Sequence, residues 1–81
     1  MIKIKVKCFS QIKYALGKDY LDLELKEGTT SENLEAHIRK VAEGKLDGVN
    51  FRIAINKKYS TSNKILMNGD EVAFIPPVQG G

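Results

Sequence analysis

Ile2-Lys3-Ile4-Lys5-Val6-Lys7-Cys8 alternates without a break. Ile2, Ile4, Val6 and Cys8 fall on one face, and Lys3, Lys5 and Lys7 on the other. A side-chain period of two is that of a strand with one face buried and one in water. Phe9 breaks the alternation, which puts an aromatic ring at the strand's end or on its outer side. A second alternation sets Leu21, Leu23 and Leu25 against Asp22, Glu24 and Lys26. Residues 10–19 between them contain Gly17 and read as a connection. Ile12, Tyr14 and Leu16 are expected to pack it down, in a short helical turn. The two strands are expected to pair as neighbours.

Beyond them, Glu27-Gly28 is a turn and Thr29-Thr30-Ser31 opens a helix. Thr29 and Glu32 have the spacing of a capping box, and Thr30 is an equally good N-cap. Leu34, Ile38 and Val41 fall at i, i+4 and i+7 and are expected to form the buried stripe, with Ala42 beside it. Gly44 fits the position that ends the helix in a left-handed conformation. Residues 45–50 read as a polar loop. Phe51, Ile53 and Ile55 give a third alternating strand, and Asn56-Lys57-Lys58-Tyr59 a tight polar connection. Residues 60–63 are another loop. Ile65 and Leu66 then precede an Asn68-Gly69-Asp70 turn, where Gly69 takes positive φ at little cost. Glu71-Val72-Ala73-Phe74-Ile75 is the last strand. The order is β-β-α-β-β, with room for one more short strand before the last. One main helix across one face of a mixed sheet of four to five strands buries these apolar faces economically, an α+β arrangement. Order and size are similar to the ubiquitin-like β-grasp fold, which places the first and last strands side by side in the middle.

The totals exclude several function classes. Eighty-one residues make one domain, here residues 1–75, and a chain this short buries only about 60% of its unfolded surface. Thirteen basic residues against 10 acidic ones give a net charge of +3. The cations are scattered among acids rather than gathered with aromatics on one face, so nucleic-acid binding is not expected. The lysines of the first strand read as a solvated face, with a small basic docking surface as the lesser alternative. There is no apolar run of transmembrane length and no signal-like start, so no membrane partner is expected and the cytoplasm is the default location. A single cysteine, Cys8, allows no internal disulfide. On the inward face it reads as inert, with no base to activate it. The one histidine, His37, has no partner at metal-ligand spacing, so no metal site is expected. Asp70-Glu71 sits in a turn and reads as solvated carboxylates rather than an acid–base pair. Gly80-Gly81 precedes no helix, so it is not a phosphate loop. The chain carries no self-contained active site and no bound cofactor is expected.

What remains is Pro76-Pro77-Val78-Gln79-Gly80-Gly81, residues 76–81. The prolines fix φ and remove two donors, which makes the start of this tail stiff and extended. The glycines carry no side chain and fit a narrow channel. Six extended residues reach roughly 20 Å. The tail has no charged side chain, so its only acidic group is expected to be the terminal carboxylate of Gly81. It reads as a flexible arm that delivers that carboxylate to another protein's site.

Asn68-Gly69-Asp70-Glu71-Val72-Ala73-Phe74-Ile75 followed by that tail resembles the C-terminal signature of the small, sulfur-carrier subunits of molybdopterin synthase. The resemblance extends over nearly the whole chain: the opening strand with Phe9, the Gly28-Thr29-Thr30 helix start, Leu34, Ile53-Ala54-Ile55-Asn56 and Tyr59 fit the pattern. Gln79 stands where the family often has Ser or Thr, and Lys13-Tyr14 where it often has Arg-Glu.

The resemblance implies a non-catalytic carrier. A ubiquitin-activating-like adenylyltransferase would use ATP and magnesium to adenylate the Gly81 carboxylate, and a sulfur donor protein would convert the adenylate to a thiocarboxylate. The large synthase subunit, in a heterotetramer of two small and two large subunits, would take up Pro76, Pro77, Val78, Gln79 and Gly80 and pass the sulfur to cyclic pyranopterin monophosphate. Phe9, Leu66 and Ile75 are implied as the apolar contacts to these partners. Two other readings stand beside it: a ubiquitin-like modifier joined to lysines through Gly81, and a sulfur carrier for thiamine or tRNA thiolation. The Pro-Pro-Val segment favours the first reading, since thiamine carriers generally lack it.

Overall fold

A computed structural model describes residues 1–60 and 62–75, with the side chains of Ser10 and Gln11 left aside. Seven elements follow one another: β1 (Ile2–Cys8), α1 (Ser10–Leu16), β2 (Tyr20–Leu25), α2 (Ser31–Val41), β3 (Arg52–Ile55), β4 (Lys58–Ser60) and β5 (Glu71–Ile75). The sheet runs β2-β1-β5-β3-β4. β1 and β5, the first and last strands, lie parallel at its centre, and the other neighbours are antiparallel.

Register follows from the alternation. Ile4 pairs with Leu23 and Val6 with both Leu21 and Val72, all on the inner face. Phe74 pairs with Cys8 on one side and Ile53 on the other. One residue out of step, Lys5 faces Asp22 and Lys3 faces Glu24 on the outer face, where opposite charges across strands are favourable. The inner face packs against α2, with Leu34, Ile38 and Ala42 buried together with Ile12 from α1.

The connection after β1 is a full two-turn helix, α1, whose Ile12 is buried while Tyr14 points to solvent. α2 departs from expectation in its stripe. Ser31, Leu34, Ile38 and Ala42 recur at steps of three, four and four residues and are buried, whereas Val41 is 50% exposed. Ile38 and Ala42 share a row along the helix, and Val41 lies on its flank, half open to solvent.

The cap is Thr30, with Asn33 rather than Glu32 as its reciprocal partner. The Asn33 amide donates to Thr30 Oγ1 at 3.2 Å and the Thr30 amide donates to Asn33 Oδ1 at 3.3 Å. Thr29 is engaged elsewhere: its hydroxyl donates to the Lys26 carbonyl at 2.7 Å and closes the preceding turn. Asn63 adds a cap from outside the helix. Its Oδ1 accepts from the Glu32 amide at 3.0 Å and the Ser31 hydroxyl at 3.2 Å. Ser31 Oγ in turn accepts from the Lys64 amide at 3.1 Å. These bonds fix the segment before β5 to the helix start, and an isolated bridge joins Thr30 to Ile65. Asn63→Ala is expected to destabilise the domain by about 1–2 kcal/mol, because it strips two donors of their acceptor at once. Urea denaturation checks this, with the midpoint falling at constant slope.

α2 ends one residue earlier than Gly44 suggests: Ala42 is the C-cap, and Glu43 (φ 53°) and Gly44 (φ 84°) are both left-handed. The segment after it is less polar in role than in composition, since Leu46 is 1% exposed and belongs to the core. Arg39 holds this segment in place. Its Nη1 donates to the Leu46 carbonyl at 2.7 Å, its Nη2 to the Val49 carbonyl and its Nε to Glu35 at 3.0 Å. The guanidinium lies 4.5 Å from the Phe51 ring centre. The connection after β3 is shorter than expected. Asn56 (φ 52°) and Lys57 (φ 70°) alone make the turn, and Lys58 and Tyr59 already belong to β4.

Candidate functional site

The expected reactive end, Gly81, and the expected tail contacts Pro76, Pro77, Val78, Gln79 and Gly80 lie outside the described residues. What the structure describes is the surface from which the tail starts. β5 brings the chain to Ile75 along the central axis of the sheet, between β1 and β3. The helices cover the other face, so the outer face is the one open to a partner.

Three outer-face positions carry apolar or aromatic groups around that point. Phe9 follows β1 as the residue preceding α1, half-buried, with Lys7 Nζ 5.0 Å from its ring centre. Ile75 is half-buried and pairs with Arg52. Tyr59 on β4 is 62% exposed, and the Arg52 guanidinium lies 5.8 Å from its ring centre. Between them Ala54 and Ala73 pair directly across β3 and β5. Two methyl groups where neighbouring positions carry long side chains leave a shallow depression of about 180 Å³, lined also by Lys7, Lys57 and Glu71. The floor is apolar, two walls are aromatic, and the rim is charged.

The structure places Phe9 and Ile75 on one depression and separates Leu66 from them. Leu66 is 1% exposed and packed in the core. Its amide donates to the Thr29 carbonyl at 2.9 Å, which turns the side chain under the helix start. It offers no surface to a partner in the free chain. Tyr59 takes the third place on the face. Its sequence signal was weak: one aromatic in a three-residue strand, read as part of a turn.

The remaining chemistry-bearing residues have structural or solvated roles. Burial pushes the Cys8 thiol up, and the nearby Asp19 carboxylate adds to the effect, so the thiol holds its proton. Asp70 is a turn residue: its carboxylate accepts from the Met67 amide and from the Asn56 side chain, at 2.8 and 2.9 Å. His37 is exposed on α2. Among the described residues no group of three or more His, Cys, Asp or Glu is placed to hold a metal ion. No described helix is long and apolar enough to cross a membrane.

A five-stranded mixed sheet, a helix across one face, parallel terminal strands at the centre and an open face around Ile75 define a ubiquitin-like β-grasp domain. Comparison with known proteins narrows the class. The model of the ThiS family matches residues 6–81. The molybdopterin synthase sulfur carrier subunit of Chlamydomonas reinhardtii is 36% identical over 84 residues, covering 99% of this chain and all of the relative. A putative molybdopterin converting factor subunit 1 from Pyrococcus furiosus superposes with a TM-score of 0.85 at 31% identity, over 96% of this chain and 100% of that one. The complex of subunits 1 and 2 of molybdopterin-converting factor from Helicobacter pylori contains the same fold, at a TM-score of 0.68 and 24% identity, over 99% of this chain and 100% of that one. The chain belongs to the ThiS family, and within it to the molybdopterin synthase sulfur carrier subunits.

Proposed function

We propose that the carboxylate of Gly81 is the working group of this protein and that it carries sulfur for molybdopterin synthesis. The observation that carries the reading is full-length similarity to sulfur carrier subunits, joined to a fold that keeps its open face around the start of the tail. A carboxylate is a poor electrophile. Attack of its oxygen on the α-phosphate of ATP, with magnesium on the activating partner, gives an acyl-adenylate and pyrophosphate. Sulfur at the sulfide level, released by a donor protein as hydrosulfide, then attacks the acyl carbon, breaks its bond to AMP and leaves a thiocarboxylate. Splitting the transfer in this way replaces one difficult step by easier ones. The thiocarboxylate sulfur is the nucleophile delivered to the pterin in the large subunit. Gly80 and Gly81 carry no side chain to bar them from a narrow channel.

Intact-mass measurement tests the reading. Incubation with an activating enzyme, ATP, magnesium and a sulfur donor is expected to replace one oxygen by one sulfur. Isopeptide-linked adducts in place of that product would overturn it in favour of a modifier. The docking face makes a separate prediction. Ile75→Asp or Phe9→Asp is expected to weaken binding of the large subunit at least about tenfold, since each places an unpaired charge in the apolar centre of the contact. Unchanged affinity by calorimetry would remove that residue from the interface.

A further inference from the structure

The outer face is not uniformly charged. On its β1–β2 half, Lys5 stands in register with Asp22 and Lys3 with Glu24, so acids and bases alternate across the strands, and Lys5 Nζ lies 5.3 Å from the Tyr20 ring centre. Around the depression the balance changes. Lys7 lies over Phe9 and Arg52 over Tyr59, each spread on an aromatic face. Lys57 projects from the β3–β4 turn at the other end. Glu71 is the one acid lining this depression, and it pairs in register with Lys5 on the next strand. Three cations thus surround an apolar floor with one carboxylate among them.

We propose that Lys7, Arg52 and Lys57 select the partner: they recognise a protein surface that presents an aliphatic knob ringed by carboxylates. A guanidinium lying on a ring keeps its edge N–H donors free, and it is held where a bidentate carboxylate can meet it. The depression floored by Ala54 and Ala73 accepts the knob, and filling it drives water from around the cations, which strengthens their pairing. Nucleic acid fits less well. Its phosphates have nothing apolar to place on the alanine floor. Along β1 beyond the patch, acids of β2 stand in register with Lys3 and Lys5, so the basic surface does not continue as the unbroken stripe a phosphate backbone needs.

The test rests on the carrier reading only for its probe, the large synthase subunit of the same organism. Affinity is measured at 50 and 500 mM NaCl for the unchanged chain and for Arg52→Glu with Lys57→Glu. The companions are the conservative pair Arg52→Lys with Lys57→Arg, and a control pair of the same charge change on the helix side, Lys40→Glu with Lys45→Glu. All four positions are exposed, and thermal melts establish that each variant folds. The unchanged chain is expected to lose about tenfold in affinity over that salt range, with screening of the rim. The Arg52/Lys57 reversal is expected to bind at least about 30-fold more weakly at low salt and to lose its salt dependence. The conservative and control pairs are expected to stay within about threefold of the unchanged chain. Equal loss in the control pair would overturn the proposal, as it would reduce the effect to net charge. So would salt-independent binding, an unaffected reversal variant, or tighter binding of mixed-sequence single-stranded RNA than of the large subunit. If those outcomes occur while the thiocarboxylate still forms, the carrier reading stands and the collar alone falls. If the unchanged chain does not bind the large subunit at all, both fall.

Discussion

Deletion of Gly81 is expected to reduce sulfur loading and transfer by at least about 100-fold while leaving the melting temperature unchanged. The two readouts separate because the chain separates them. Among the described residues every buried core residue lies at or before Phe74, and β5 ends at Ile75; Gly81 itself has no side chain to add to the apolar cluster. Reach, by contrast, is lost directly. Each extended residue contributes about 3.5 Å, and misplacing a reacting group by about 1 Å already costs on the order of 100-fold. The new terminal carboxylate of Gly80 keeps the same intrinsic reactivity, so the loss measures position. Binding to the large subunit is expected to fall only a few-fold, because the face of Phe9, Ile75 and Tyr59 is intact. Intact-mass analysis, a thermal melt and a binding isotherm on one preparation give all three values. Loading that survives the deletion would remove Gly81 from the mechanism. Loading that fails together with the melt would show that the tail serves the fold instead.

The fold was legible where periodicity is strong. Ile2 to Cys8, Leu21 to Leu25 and Phe51 to Ile55 each fix a face, and a helix between the second and third strands leaves few ways to bury three such faces. The adjacency of β1 and β5 came from the similarity of that order and size to the β-grasp fold. The errors have a common physical origin. Val41 and Leu46 are placed by local pattern and Leu66 by the family resemblance, but the burial of all three depends on what lies above them. Arg39 binding two loop carbonyls is what brings Leu46 in, and Asn63 with Ser31 is what turns Leu66 under the helix. Such side-chain-to-backbone bonds leave no periodic trace. The site was half legible for the same reason. Phe9 and Ile75 announced themselves by falling out of the inward alternation. Tyr59 and Arg52 acquire meaning only from the pairing of β3 with β4 and β5, which brings ring, cation and alanine floor together.

Phe74→Ala is expected to cost about 3–5 kcal/mol, the range for removing a buried aromatic side chain. Phe74 is fully buried at the centre of the sheet, paired with Cys8 and Ile53 and tilted against Phe51 with ring centres 5.9 Å apart. Collapse cannot fill the gap, because the strands on both sides are fixed by their ladders. A domain of this length has a total stability of about 4–12 kcal/mol, so the variant stands near its unfolding threshold and its melting temperature falls by more than about 12 °C. Its effect on sulfur loading differs in kind from that of the Gly81 deletion. Loading falls with the folded population, so it recovers on cooling toward the temperature of maximum stability and on adding excess large subunit, which binds only the folded chain. Phe74→Leu, which keeps most of the volume, is expected to cost less than half as much. Urea denaturation of the two variants beside the unchanged chain measures the difference. Equal midpoints for all three would mean that Phe74 is not the keystone its burial implies. A loading defect in Phe74→Ala that persisted at full folded population would place the residue in the docking of the tail, since it stands one position before Ile75.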